Sequence, residues 1–174
     1  MTEAELRQFL DKQGLADSRV EFRKLKGGYL NTVWCVDTPD RRLVAKEFVK
    51  PMTGTLFPNL PEDEAEALRR LAGLEVAPDL VGFWPEASLL VYEFAEGDMW
   101  DGDMQGVAQL LLRKEAADPI GFRDVPLNPQ EILAEGDALF ARCKSPPDAI
   151  CPPHIDLPLP QKLSLIHTDI GVNL

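Results

Sequence analysis

Three strand-like segments follow one another closely near the start of this chain, and their spacing restricts the fold more than any other feature. "VEFRKL" (residues 20–25) alternates apolar and polar residues, "TVWCVD" (32–37) is rich in β-branched and aromatic residues, and "RLVAKEFV" (42–49) follows. The links "KGGYLN" (26–31) and "TPDR" (38–41) are too short for the crossover that parallel strands need. The sequence therefore predicts an antiparallel meander.

Helix-like segments surround these strands. Thr2 and Glu5 form a capping-box pattern, and the apolar spacing after them predicts a short helix that ends near Gly14. The segment "EDEAEALRRLAGL" (62–74) places apolar residues on one face and acids in its first turn, where the helix dipole stabilises negative charge. The same periodicities predict the remaining elements: two strands within residues 77–97 around a turn at 85–88, and helices at 104–116 and 129–143.

The order of these elements predicts the fold class. An antiparallel sheet with one inserted helix, followed by a mainly helical region, is an α+β arrangement. The change from strand-like to helical periodicity near Gly97 predicts a boundary between two lobes. Hydrophobic residues make up 45% of the 174 residues and charged residues 27%, which is typical of a globular chain.

Charge and composition exclude several functional classes. The formal net charge of −11 argues against nucleic-acid binding, because such binding depends on neutralising phosphates with basic residues. With two histidines in the chain, a histidine-rich metal site is excluded. No stretch approaches the ~18 consecutive apolar residues of a membrane span, and the acidic, amphipathic N-terminus is unlike a signal peptide. The scattered cysteines fit a reducing cytoplasm: Cys35, Cys143 and Cys151.

Two features of the strand region have both a structural and a functional interpretation. "KGGYLN" (26–31) is either an ordinary hairpin turn or a flap whose backbone N–H groups approach phosphates. Lys46 lies within an apolar strand and either points to solvent or points inward as an ammonium that binds phosphate oxygens. An inward ammonium needs a carboxylate partner, and the second helix offers three near its start: Glu62, Glu64 and Glu66.

Two later segments are equally open when each is taken alone. "LLVYEFAEG" (89–97) is either a core strand that ends in a turn or a strand whose edge backbone hydrogen-bonds a flat heterocycle. "LIHTDIGVNL" (165–174) carries Asp169 after an apolar run and Asn173 shortly after it. This segment is either a polar loop end or a site that combines a carboxylate base with an amide ligand for a metal.

The order of these features favours the functional interpretations. A glycine-rich turn, a strand lysine, a helix glutamate, an apolar linker strand and an H-x-D…N loop follow one another as in the kinase signature set. The chain resembles the aminoglycoside phosphotransferase and choline kinase family of small-molecule kinases. The segments that carry this resemblance are "LKGGYLNTVWCV", "LVAKEF", "DEAEALRRLAGLEVAPDLVG", "LLVYEFAEG" and "LSLIHTDIGVNL". The resemblance implies a protein-kinase-like fold, with an N-lobe at residues 1–97 and a partial, mainly helical C-lobe at residues 98–174.

The resemblance also implies which residues bind ATP. Lys46 would neutralise charge on the α- and β-phosphates, and Glu64, rather than its acidic neighbours, would hold Lys46 in place. The other implied ATP-binding residues are Gly27 and Gly28 in the nucleotide flap and Glu93, Phe94 and Ala95 in the hinge, whose backbone would bind adenine.

The implied catalytic loop contains two further functional residues. Asp169 would accept or orient the proton of the acceptor hydroxyl, and Asn173 would bind Mg²⁺, while His167 would brace the loop. The spacing from Asp169 to Asn173 is one residue shorter than in the H-R-D-x-x-x-x-N pattern of protein kinases. The sequence also ends before the strand pair that supplies the second metal-binding Asp of kinases.

The expected function is therefore ATP- and Mg²⁺-dependent transfer of the γ-phosphate to a hydroxyl of a small molecule, such as an aminoglycoside, choline or a sugar. Because the metal site is incomplete, we expect the 174 residues alone to transfer phosphate poorly. The alternative is a non-catalytic nucleotide-binding or interaction module derived from a kinase. An uncovered C-lobe surface is also expected to permit self-association, and neither a nucleic-acid nor a membrane partner is expected.

Overall fold

The computed structural model describes residues 1–26, 30–50, 58–97, 102–122 and 129–142. Its helices are α1 (Glu3–Lys12), α2 (Pro61–Leu71), α3 (Met104–Lys114) and α4 (Pro129–Phe140). Its strands are β1 (Glu21–Lys24), β2 (Asn31–Asp37), β3 (Arg42–Phe48), β4 (Leu80–Trp84) and β5 (Leu89–Glu93), with a 3₁₀ turn at Pro85–Ala87. Within the described ranges, no helix combines the length and the apolar character that crossing a bilayer requires.

The five strands form one antiparallel sheet in the order β1-β2-β3-β5-β4, so the predicted α+β arrangement is confirmed. The first three strands are neighbours in sequence order, as the short links require. The strand β5 then inserts between β3 and β4. In this register Lys46 of β3 lies opposite Val33 of β2 and Leu90 of β5, which places it in the middle of the sheet.

Helix α1 covers one face of the sheet. The Thr2 hydroxyl accepts the Glu5 N–H and the Glu5 carboxylate accepts the Thr2 N–H, so the predicted capping box is present. The fully buried Leu6 and Leu10 lie one helical turn apart and pack against the strands. The buried strand residues of this core are Val36, Leu43, Ala45, Leu89 and Val91.

Helix α2 packs against the opposite face. It begins with Pro61 at its first position, where the missing N–H of proline costs no helical hydrogen bond. Ala65 and Leu68 are buried and pack against Phe48 of β3 and Leu90 of β5. Because strand residues alternate between faces, residues 43 and 45 face α1, whereas residues 44, 46 and 48 face α2.

A bulge in the edge strand β4 brings an aromatic side chain back over the backbone. The register between β4 and β5 shifts between Leu80 and Gly82, and a Cβ built on Gly82 would overlap the indole of Trp84. The same indole meets the ring of Phe9 edge-on, with 5.5 Å between the ring centroids. Only glycine at position 82 therefore leaves room for this contact between β4 and α1.

The described residues fall into two compact units, one running from Met1 to Asp118 and the other starting at Pro119. The first unit contains the sheet and α1 to α3, and the second contains α4. Asp103 caps α3 by accepting the Gln105 N–H, but α3 buries none of its own side chains. The lobe boundary at Gly97 remains a prediction.

Candidate functional site

The side chain of Lys46 points to the α2 face of the sheet and ends in an ion pair. Its Nζ lies 2.6 Å from Oε2 and 2.8 Å from Oε1 of Glu64, so both carboxylate oxygens accept hydrogen bonds from one ammonium. The Lys46 side chain is 19% exposed and that of Glu64 is 31% exposed. The pair is thus partly shielded from water, and the interpretation in which Lys46 points freely to solvent is excluded.

The phase of α2 explains why Glu64 and not another acid meets Lys46. Pro61, Glu64, Ala65 and Leu68 share one helical face, because residues three, four and seven positions apart lie on the same side. Glu66 lies off this face and pairs with Arg70 at 2.8 Å. The hydrogen bond from Arg70 lowers the pKa of the Glu66 carboxyl. Glu66 therefore already has a cationic partner other than Lys46.

Aromatic residues border the ion pair on the same face. The Nζ of Lys46 lies 4.9 Å from the centroid of the Phe48 ring, within the range of a cation–π contact. Burial, together with the nearby negative charge of Glu64, raises the pKa of Tyr92 to about 12. Tyr92 therefore remains a neutral phenol at physiological pH and adds no competing anion beside Lys46.

The hinge begins at Glu93, the last residue of β5, and the N–H groups of its first two residues donate to different backbone carbonyls. The Glu93 N–H donates to the Asp79 carbonyl at 2.9 Å, and the Phe94 N–H donates to the Arg42 carbonyl at 3.0 Å. Within the described ranges, the Ala95 N–H donates to no backbone carbonyl. Ala95 is exposed, so its N–H is accessible to a ligand and can donate to the edge of a planar heterocycle.

An arginine network that the sequence analysis missed holds this hinge. The guanidinium of Arg42 contacts Asp37 at 2.5 Å and Glu96 at 2.7 Å, and it lies 5.0 Å from the centroid of the Phe94 ring. The hydrogen bond from Arg42 lowers the pKa of the Asp37 carboxyl. Arg41 pairs with Glu93 at 2.9 Å.

The short turn "TPDR" indicates one contact of this network, the pairing of Asp37 with Arg42. Asp37 and Arg42 flank that turn, and a tight hairpin brings its flanking residues opposite each other. The contacts to the hinge had no such signal, because more than fifty residues separate Arg42 from Glu96.

The remaining predicted site residues lie outside the described residues. These are Gly27 and Gly28 of the flap, Asp169 of the catalytic loop and the metal ligand Asn173. Across the part of the chain that the structure describes, no three His, Cys, Asp or Glu side chains converge on a possible metal position. The roles of all these residues, and the nucleotide-binding roles of Lys46, Glu64 and the hinge, remain predictions.

The described groups of this site offer hydrogen-bond donors of two kinds. A paired ammonium suits phosphate oxygens, and the unused Ala95 N–H suits an acceptor nitrogen of a base. The side chain of Val44 faces the same side of the sheet as Lys46 and is buried in the core.

Comparisons with known proteins identify the fold. No protein-family model and no curated protein matches the sequence. A choline kinase from Streptococcus pneumoniae matches with a TM-score of 0.54 and 19% identity, over 78% of this chain and 49% of that one. An ethanolamine kinase from Plasmodium vivax matches with a TM-score of 0.49 and 11% identity, over 78% of this chain and 37% of that one.

This chain thus spans about half the length of the choline kinase that it matches. The five-stranded antiparallel sheet and its helices match the N-lobe of kinase-like structures. The chain has the protein-kinase-like fold of the small-molecule kinases.

Proposed function

We propose that this chain is the nucleotide-binding part of an ATP-dependent phosphotransferase that phosphorylates a hydroxyl of a small molecule. One observation carries the proposal: the two-oxygen ion pair between Lys46 and Glu64, on one face of a sheet with this fold. Kinases of this architecture use such a pair to hold a lysine against ATP phosphates. The expected cofactors are ATP and Mg²⁺, and the expected location is the cytoplasm.

The described residues would act by positioning and by charge. Lys46 would offset the negative charge of the phosphates. Glu64 would fix the direction of the ammonium and leave one of its three N–H donors for a phosphate oxygen. Backbone groups of Glu93 and Ala95 would bind the adenine edge. Phosphoryl transfer depends mainly on such positioning and charge stabilisation, so these few groups meet a large part of its requirements.

The remaining roles rest on the sequence resemblance. Gly27 and Gly28 would let backbone N–H groups approach the phosphates. Asp169 would accept or orient the proton of the acceptor hydroxyl, and Asn173 would bind Mg²⁺, which would offset negative charge on the phosphates.

We propose an alcohol-bearing metabolite as the acceptor, in the class of choline, ethanolamine, an aminoglycoside or a sugar. The similarity in fold to a choline kinase supports this class of acceptor but does not select one of its members. A panel of these acceptors, each tested for ADP formation in the presence of ATP and Mg²⁺, would identify the acceptor. The same assay, run on the 174-residue chain, also tests our expectation that this chain transfers phosphate poorly.

ATP binding tests the proposal most directly. We expect ATP to raise the melting temperature of the wild-type chain and Lys46→Ala to abolish that rise. Lys12→Ala is the matched control, because Lys12 is an exposed lysine in the last turn of α1. If wild type and Lys12→Ala show no ATP-dependent rise, the chain does not bind nucleotide and the proposal fails.

A non-catalytic nucleotide-binding or interaction module is the second candidate, and the shortened spacing between Asp169 and Asn173 favours it. A displacement of one residue moves a ligand by ~3 Å, which is large for a metal site. The module predicts ATP binding that is independent of Mg²⁺ and is lost in Lys46→Ala. The kinase predicts tighter binding with Mg²⁺ and measurable ADP formation with an acceptor.

We further propose that the chain self-associates through α3. This helix exposes Met104 and Leu112, which are eight positions apart and share one helical face, and also Leu110, which lies on a different face. Exposed apolar surface of this kind favours association. Light scattering should show a dimer that Leu112→Glu converts to a monomer, and a monomeric wild-type chain would contradict the proposal.

A further inference from the structure

Two asparagines that are distant in sequence form a reciprocal amide pair. The Asn31 Nδ2 donates to the Asn59 Oδ1 at 3.2 Å, and the Asn59 Nδ2 donates to the Asn31 Oδ1 at 2.9 Å. The pair is partly buried, and the Asn59 Nδ2 also approaches the Lys50 carbonyl at 3.4 Å. Two parallel bonds restrict both the distance and the relative orientation of the segments that they join.

Asn31 presents its side chain on the same face as the ion pair. It lies directly opposite Phe48, and residues that face each other across a ladder point to the same side of the sheet. Phe48 packs against Ala65 of α2 and also lies beneath the Lys46 ammonium. The amide pair is thus anchored to the end of β3 that is next to Lys46.

Asn59 anchors the other side of the pair, at the start of α2. It directly precedes the N-cap residue Leu60, whose carbonyl accepts the Glu64 N–H at 3.2 Å. Leu60 has no polar side chain, and its side chain forms no capping hydrogen bond. The beginning of this helix therefore lacks the side-chain cap that usually fixes a first turn.

We propose that Asn31 and Asn59 are positioning residues that fix the first turn of α2 so that Glu64 meets Lys46. This inference rests on the proposed function for its consequence in ATP binding. The amide pair and the ion pair are two connections between α2 and the strands, and Leu60 joins them along the backbone. Loss of the amide bonds releases the first turn, and the Glu64 carboxylate then spends less time within bonding distance of the ammonium.

Thermal unfolding tests the proposal without nucleotide. Glu64→Gln should lower the melting temperature of the wild-type chain, because it removes the ion pair. In the Asn59→Ala background, Glu64→Gln should lower the melting temperature by less than half of the decrease that it causes in the wild-type chain. An equal decrease in both backgrounds would show that the two pairs act independently, and it would overturn the proposal.

The design includes a control for general destabilisation. Thr2→Ala removes the cap of α1 on the opposite face, and the decrease caused by Glu64→Gln should stay unchanged in that background. If Asn59→Ala does not fold, Asn59→Asp replaces it, since a carboxylate still accepts the Asn31 hydrogen bond. In the Asn59→Asp background, the decrease in melting temperature caused by Glu64→Gln should lie between its values in the wild-type and Asn59→Ala backgrounds. A decrease equal to that in the wild-type background would contradict the proposal.

ATP titration then separates this inference from the proposed function. Asn59→Ala should weaken ATP binding several-fold in the wild-type chain and have no further effect in the Glu64→Gln background. If wild type binds no ATP but the melting temperatures show coupling, the proposed function fails and the positioning role stands. If wild type binds ATP and the effects are additive, the positioning role fails and the proposed function stands.

Discussion

The two faces of the sheet use alternate residues of the same strands, yet they differ in chemistry. The α1 face buries a continuous apolar core in which Leu43, Leu89 and Val91 are fully inaccessible. The α2 face has a smaller apolar cluster around Phe48 and Leu90, and it also contains the ion pair of Lys46 with Glu64. The α1 face therefore contains most of the apolar core, and the α2 face contains the ion pair to which we assign nucleotide binding.

This division follows from the period of a strand. Along β3, residues 43 and 45 contribute to the core and residues 44, 46 and 48 face α2, so one strand serves both purposes. A shift of one residue in its pairing would exchange the two sets and bury Lys46 against α1. The sequence fits only one register, because only that register gives the ammonium a carboxylate partner.

The largest effect is expected on the α1 face. Leu43→Ala should reduce the free energy of unfolding by about 2–5 kcal/mol, because Leu43 is fully buried and its truncation leaves a cavity. Denaturant unfolding measures this loss. At a temperature where the variant is folded, its ATP affinity should equal that of wild type. Weaker binding by the folded variant would show that the two faces are coupled.

The next effect concerns the α2 face alone. Lys46→Met should weaken ATP binding by roughly 10–100-fold, because a hydrogen bond to a charged group contributes ~1.5–3 kcal/mol. Its stability should fall less than that of Leu43→Ala, because Glu64 is 31% exposed and retains contact with water. Calorimetric titration and denaturant unfolding of the same sample give both quantities. A larger loss of stability than of binding would contradict the functional assignment of this face.

A smaller effect is expected at the hinge. Arg42→Ala removes the contacts to Asp37, Glu96 and the Phe94 ring, and it should weaken adenosine binding several-fold. Inorganic triphosphate binding should not change, because Lys46 is untouched. Arg19→Ala is the control, since it removes one exposed ion pair, with Asp17, that has no contact with the hinge. Equal losses for adenosine and triphosphate would show that Arg42 acts on the whole site.

The smallest effect at neutral pH is expected at Tyr92, whose influence on stability changes only in alkaline solution. Because the pKa of Tyr92 is raised from 10.0 to about 12, the unfolded chain loses this proton first as the pH rises. The corresponding stability is complete below about pH 10 and disappears as the pH approaches about 12. Tyr92→Phe should therefore flatten the decrease in the free energy of unfolding across this window.

The charge of Glu64 contributes to the raised pKa of Tyr92. Glu64→Gln should therefore shift the ultraviolet titration of Tyr92 to lower pH. The chain has two tyrosines, so the Tyr29→Phe background isolates the signal. An unchanged titration would mean that Glu64 is farther from Tyr92 than the structure places it.

Local periodicity was enough to predict most of the described elements. The strands and helices lie within a few residues of their predicted ends, because each has a clear period and a terminal signal such as the Thr2 cap or the turn at Pro85. Strand order was not predicted, since nothing local specifies that β5 inserts between β3 and β4.

The site was predictable where helix phase or the kinase pattern applied. Glu64 followed from the resemblance, and the phase of α2 gives the physical reason for its selection. The amide pair of Asn31 and Asn59 was not predictable, because 28 residues separate its members and neither is part of a periodic pattern. Such pairs depend on the path of the chain between elements, which residue patterns do not record.

The contact of Trp84 with Phe9 across the edge of the sheet has an optical consequence. Trp34 and Trp84 both pack against the α1 core, while the third tryptophan, Trp100, lies outside the described residues. Emission from the first two indoles should shift to longer wavelength when α1 detaches from the sheet. In a Trp100→Phe background, intrinsic fluorescence would therefore follow the detachment of one helix and remain insensitive to a ligand bound on the far side.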